Sequence, residues 1–148
     1  MKLKIVFLLV LAVGLLSGCG IIDKVNHSLN YVEEATNFID DTSRFAKQLP
    51  TLARQAVTDP EARTALKNEL TGMKERIAKF NALQAPDFAK DVHGQLVGYN
   101  ETLTKEINGY LEKINNGAID WKAIENSQFI DTLNQVTQNL DKVKSLTP

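Results

Sequence analysis

Across 148 residues the chain is 43% hydrophobic and 24% charged, a balance that excludes a disordered or collagen-like polymer and suits one globular core. Its 17 basic and 18 acidic residues nearly cancel, to a formal charge of -1, which leaves neither a basic face broad enough for nucleic acid nor a polyacidic tail. Aromatic residues at 7% and only eight glycines disfavour a small, turn-rich β-sandwich or barrel and favour helices.

The chain opens with Lys2 and Lys4, followed by an apolar run from Ile5 to Leu16 broken only by Gly14. A transmembrane helix needs roughly 20 apolar residues, so this shorter run, closing on small residues, reads as a signal peptide over residues 1–18 that is removed from the mature chain. It ends in Leu16-Ser17-Gly18-Cys19, which resembles the lipobox of bacterial lipoproteins. There, small residues before the cut fit the signal peptidase and the thiol takes a diacylglyceryl group. The alternative is an ordinary secretory signal with a cysteine near the cut. Cys19 is the sole cysteine, so an exported chain has no internal partner for it, and acylation removes the odd thiol. Two acyl chains of the palmitate type on one residue anchor stably where one binds only marginally, at about 0.8 kcal/mol per buried methylene. The expected location is therefore a membrane surface, held by diacylglyceryl on Cys19. Gly20 is followed at once by Ile21-Ile22-Asp23-Lys24-Val25 with no Ser/Gly tether, which places the folded body close to the bilayer. Ile21 and Ile22 either dip into the interface or form the first turn of a core helix.

From Ile22 the stripe Ile22, Val25, Leu29, Val32, Thr36, Ile39 alternates steps of three and four, and a related stripe runs through Phe38, Phe45 and Leu49. One long helix follows. Pro50, welcome only in a first turn, predicts a break near Leu49 and a short helix over Thr51–Val57. Asp59-Pro60-Glu61 then predicts a restart, with Asp59 as N-cap and Pro60 at the first helical position. Leu66, Leu70, Met73, Ile77 and Phe80 carry that helix to about Gln84. After Ala85-Pro86-Asp87, the positions Phe88, Val92, Leu96, Tyr99, Leu103, Ile107, Tyr110 and Ile114 trace another long helix. Asn115-Asn116-Gly117 ends it, glycine supplying a left-handed residue without steric cost. Ile119–Glu125 is a short turn or helix around Trp121, Asn126-Ser127 restarts the chain, and Phe129, Leu133, Val136, Leu140 and Val143 give a last helix.

These patterns predict an all-α domain over residues 19–148: an antiparallel up-and-down four-helix bundle with one or two short connecting helices. No run of alternating β-branched and aromatic residues between turns marks a strand. If the first helix rises from the membrane, up-and-down order returns the Pro86 turn to the membrane side. The Pro50–Pro60 and Gly117–Ser127 corners then face outward, where binding residues concentrate.

Catalytic patterns do not emerge. His27 and His93, the two histidines, form no i, i+4 pair and no HExxH signature, and His27 falls opposite the Val25 and Leu29 stripe as a solvated side chain. Glu33-Glu34 and Asp40-Asp41 point about 100° apart on a helix and cannot share a proton or clamp a metal as pairs. No GxSxG turn, glycine-rich phosphate loop or Glu-x-x-His motif is present. Neither a cofactor nor a metal is expected. Gly94, Gly98 and Gly109 share one stripe opposite Leu96, Tyr99 and Leu103; at about 1 kcal/mol each against alanine they weaken their helix. That stripe is either a flattened face for close approach of a partner helix or a tolerant solvent face. Trp121 either caps one end of the core or contributes to a partner contact.

Three stretches, Leu29-Asn30-Tyr31-Val32-Glu33-Glu34-Ala35-Thr36, Ala56-Val57-Thr58-Asp59-Pro60-Glu61-Ala62 and Leu83-Gln84-Ala85-Pro86, resemble a family of small uncharacterised lipoproteins from Bacillus and related Gram-positive bacteria. The resemblance implies the outer face of a plasma membrane and carries no assigned activity. The expectation is a non-enzymatic binding or scaffolding module at the cell envelope, its partner another envelope protein. The alternative is a carrier or sensor of a small apolar ligand, with Met73, Phe80, Tyr99 and Phe129 lining a cavity.

Overall fold

The computed structural model describes residues 19–117, 120–125 and 127–146, with side chains from residue 29 onward except at Ala123 and Glu125. Every regular element among them is helical: α1 (Cys19–Gln55), α2 (Pro60–Asn81), a 3-10 turn (Asp87–Ala89), α3 (Lys90–Asn115), α4 (Trp121–Glu125), α5 (Gln128–Thr137) and α6 (Leu140–Lys144). The expected leader, with Leu16, Ser17 and Gly18, lies outside the described residues, as do the side chains of Cys19 and His27.

The helix boundaries follow local chemistry. Asp59 caps α2 with extended backbone, its carboxylate accepting from the Glu61 N–H at 2.9 Å, and Pro60 occupies the first turn, where its missing N–H costs nothing. Arg63 reaches back from that turn to donate to the carbonyls of Ala56 and Val57, each at 3.3 Å, so the carbonyls of the turn that follows α1 are satisfied from the start of α2. Gly117, φ 75°, closes α3 in the left-handed conformation that its position after Asn115-Asn116 predicts.

Each long helix buries one stripe. In α1 it is Tyr31, Ala35, Phe38, Phe45, Leu49 and Ala53; in α2, Leu66, Leu70, Met73, Ile77 and Phe80; in α3, Leu96, Leu103, Ile107 and Tyr110; in α5, Phe129, Leu133 and Val136. Helix α1 packs on α2 and α5, and α3 packs on the same two, so the four stripes enclose one core; α4 and α6 lie on α1. Aromatic contacts give the running directions. Phe38 stacks on Phe80 at 4.4 Å and Phe80 lies 5.0 Å from the His93 ring, joining the middle of α1, the end of α2 and the start of α3. Further along, Phe129 of α5 lies 6.1 Å from Phe45 and 5.4 Å from Tyr110.

Four expectations are corrected. The break near Leu49 and the separate helix over Thr51–Val57 do not occur: α1 runs through Pro50 to Gln55. Pro50 removes one backbone hydrogen bond, but Leu49 and Ala53 on either side of it are buried against the neighbouring helices, and this packing holds the helix together. The last helix is instead two, because the chain turns at Gln138-Asn139, where the buried Asn139 side chain donates to the Gln135 carbonyl at 2.8 Å. Leu29, placed on the buried stripe, is exposed, and so is Phe88, which sits in the 3-10 turn before α3. The second helix stops at Asn81, three residues before Gln84.

Candidate functional site

At the end of the body nearest Cys19, the Tyr31 hydroxyl and His93 Nδ1 are 3.2 Å apart, a bond between α1 and α3 whose donor depends on the histidine tautomer. The rings of Tyr31 and His93 meet edge to face at 5.7 Å, and Phe80 covers the imidazole from α2. Burial shapes the chemistry of both groups. It pushes the Tyr31 phenol up to about 12 and holds the His93 ring below its ordinary value, since removal from water disfavours each charged form. The pair therefore stays neutral near neutral pH, and its bond joins α1 to α3.

A shallow cleft of about 200 Å³ opens beside this cluster between α1 and α2, bordered by Phe38, Phe80 and Leu83 with Glu34, Asp41, Arg76 and Lys79 at its rim. A second hollow, lined by Asp41, Arg44, Phe45, Gln48 and Glu69, continues it past Arg76. Arg76 is the hinge of the two: Nη2 lies 3.7 Å from Glu69, and its buried Nε has no protein acceptor. Acid and base alternate along this groove, and Arg44 pairs with Asp41 within its own helix. No group of three or more His, Cys, Asp or Glu side chains capable of holding a metal occurs among the described residues.

The residues singled out from the sequence are spread over the molecule. Gly94, Gly98 and Gly109 lie along the outside of α3, and a Cβ placed on any of them meets nothing within 4 Å. This face is open. Trp121 sits at the opposite end from Tyr31, half-buried on the core, with the Arg54 guanidinium 4.7 Å from its ring centroid. Val57 is exposed at that same end of α1. Of the residues proposed to line an internal cavity, Phe80 borders the surface cleft, Met73 is fully buried and Phe129 is packed between Phe45 and Tyr110. Tyr99 is half-buried, its hydroxyl accepting from Gln95 at 2.9 Å.

Sequence reasoning missed three groupings. The Tyr31–His93 bond spans 62 residues and has no local signature. Arg54 over Trp121 joins α1 to a turn whose place in the fold was not readable. Asn100 is fully buried, its amide donating to Asn81 at 2.7 Å; its spacing four residues after Leu96 was the available signal.

No helix among the described residues is long and apolar enough to cross a membrane. The chain is 35% identical to the "Uncharacterized lipoprotein YybP" of Bacillus subtilis (strain 168) over 146 residues, 97% of this chain and 99% of that one. That likeness carries lipid-anchored membrane association to this protein. No solved structure matches. Residues 31–146, which hold the whole buried core described above, match the Family of unknown function (DUF6376), and the chain belongs to that family.

Proposed function

We propose that the chain is cut before Cys19, that diacylglyceryl on Cys19 anchors it to the outer face of a Bacillus-type plasma membrane, and that residues 19–148 form one antiparallel up-and-down four-helix bundle. The anchor reading is supported by the Leu16-Ser17-Gly18-Cys19 spacing and by the lipoprotein relative. The bundle reading is supported by the closed set of contacts among α1, α2, α3 and α5.

On that anchor the protein acts as a non-enzymatic binding or scaffolding module for another envelope protein. The observation that carries this reading is the open glycine face of α3, where three positions leave space that a side chain would otherwise occupy. Small residues at that spacing let a second helix approach closely. The outer corner that carries Trp121, Arg54 and Val57 is a second surface of the right chemistry, since tryptophan and arginine dominate binding hot spots. The chemistry-bearing side chains elsewhere serve structure: His93 is held by Tyr31, and Asn100 by Asn81.

Crosslinking in the native membrane, with identification of the attached protein, tests this reading. An envelope protein joined through a photocrosslinker at position 98 or 121, and not through one at the buried cleft residue Phe80, is the expected result. Equal labelling from all three positions, or from none, contradicts it.

A further inference from the structure

In the cleft between α1 and α2 the charges are sorted by helix: Glu34 and Asp41 stand on the α1 wall, Arg76 and Lys79 on the α2 wall. The two helices run in opposite senses, since Phe38 stacks on Phe80 while Arg63, at the start of α2, reaches back to Ala56 just past the end of α1. Asp41 comes three residues after Phe38 and Arg76 four before Phe80, so acid and base stand at one level, about one helical turn from the stacked rings. Yet no ion pair joins them across the cleft. Asp41 pairs through Oδ1 with Arg44 of its own helix, which leaves Oδ2. Arg76 Nη2 lies 3.7 Å from Glu69 of its own helix, too long for a hydrogen bond, and its buried Nε has no acceptor. From this level the cleft continues past Phe38 and Phe80 to Leu83.

We propose that this cleft binds a free α-amino acid with an apolar side chain, its carboxylate on the Arg76 guanidinium, its ammonium on Asp41 and its side chain against Phe38, Phe80 and Leu83. An α-amino acid carries both charges on groups attached to one carbon, which matches an acid and a base that face each other at one level. A carboxylate also gives the guanidinium the charged acceptor that Glu69 is too distant to supply. The surroundings select a ligand bearing both signs: Glu34, Asp41 and Glu69 offset Arg44, Arg76 and Lys79, so neither a lone anion nor a lone cation is favoured. At about 200 Å³ the cleft is smaller than the roughly 300 to 1,000 Å³ of sites for drug-sized ligands, which suits a single amino acid. The site shares no residue with the glycine face of α3 or the Trp121 corner, so it stands or falls separately from the partner reading.

The test is equilibrium dialysis of radiolabelled L-leucine and L-valine against the full-length protein, purified from its host in detergent. The expected result is saturable binding with a Kd at or below about 1 mM, weakened about tenfold in Arg76→Met and in Asp41→Asn, with circular dichroism showing that both variants are folded. Leucinamide, which lacks the carboxylate, and N-acetylleucine, which lacks the ammonium, should each compete about tenfold less well than leucine itself. This competition uses the native protein and so decides the question even where a variant does not fold. Absence of saturable binding for both amino acids overturns the proposal. Competition by leucinamide or N-acetylleucine equal to that by leucine also overturns it, because the protein then reads one charge or an apolar surface alone. Unchanged binding in either folded variant places the amino acid elsewhere and overturns the site.

Discussion

His93 is the side chain whose environment makes the plainest chemical statement. Its ring is held below the ordinary value of 6.5 by burial against Phe80 and Tyr31, so the unfolded chain takes up a proton before the folded one does. Stability is therefore complete above about pH 6.5 and falls as the pH drops below that value. Urea unfolding at a series of pH values checks this: the midpoint declines below about pH 6.5 in the native protein, and His93→Gln flattens that decline. Tyr31 acts at the other end of the scale. With its phenol pushed up to about 12 against the ordinary 10.0, the folded state resists ionisation, and the stability this represents is full below pH 10 and lost as the pH rises through 12. Burial raises the Tyr110 phenol as well, so phenolate absorbance in native and denatured protein should show late-ionising tyrosine only when folded, and Tyr31→Phe should remove the part that ionises at about 12. Neither residue could be paired from the sequence, since apolar spacing identifies faces and not neighbours. The same limit explains Leu29 and Tyr31. Both fall on apolar stripes of α1, yet Tyr31 is buried and Leu29 exposed, because α2 and α3 meet the Tyr31 side of the helix.

At the scale of elements, capping chemistry was legible and long-range packing was not. Asp59-Pro60-Glu61 and Gly117 terminate helices where their side chains and backbone preferences require. Pro50 is the counter-example. Its intrinsic cost in a helix interior is about 3 kcal/mol against alanine, but the burial of Leu49 and Ala53 on both sides of it outweighs the lost hydrogen bond. Pro50→Ala should accordingly stabilise the protein, by about 1 to 3 kcal/mol, measured as a higher midpoint in chemical denaturation; destabilisation would show that the core depends on a kink at this position. The glycine face of α3 makes a sharper pair of outcomes. Gly94→Ala and Gly98→Ala place methyl groups in open space and should each add about 0.5 to 1 kcal/mol of stability. In the membrane the same double variant should lose its crosslinked partner, because the added methyl groups hold an approaching helix away. The break between α5 and α6 was hidden for a related reason. Val136 and Val143 keep their places on the buried stripe, so the apolar periodicity passes through a turn made by the Asn139 side chain.

For the whole molecule, the all-helical class was readable from stripes alternating three and four residues and from the scarcity of turns, and α1, α2 and α3 lie close to their predicted spans. The site was harder to read, because its components come from different helices and none carries a motif. Cys19 is different: it is a local signature, complete within four residues, and it stands at the first residue of α1. From that point the described residues form a helical body with Leu29 and Phe88 exposed at the end toward Cys19, an open flank along α3 and Trp121 under Arg54 at the far end. Such a distribution suits a protein held in one orientation beside a membrane, presenting its flank and far end to neighbours. Intact-mass measurement of the protein extracted from membranes of its own host tests this account most directly. The account predicts a chain beginning at Cys19 and heavier by a diacylglyceryl group, whereas an unmodified thiol at that residue, or a retained leader, would contradict it.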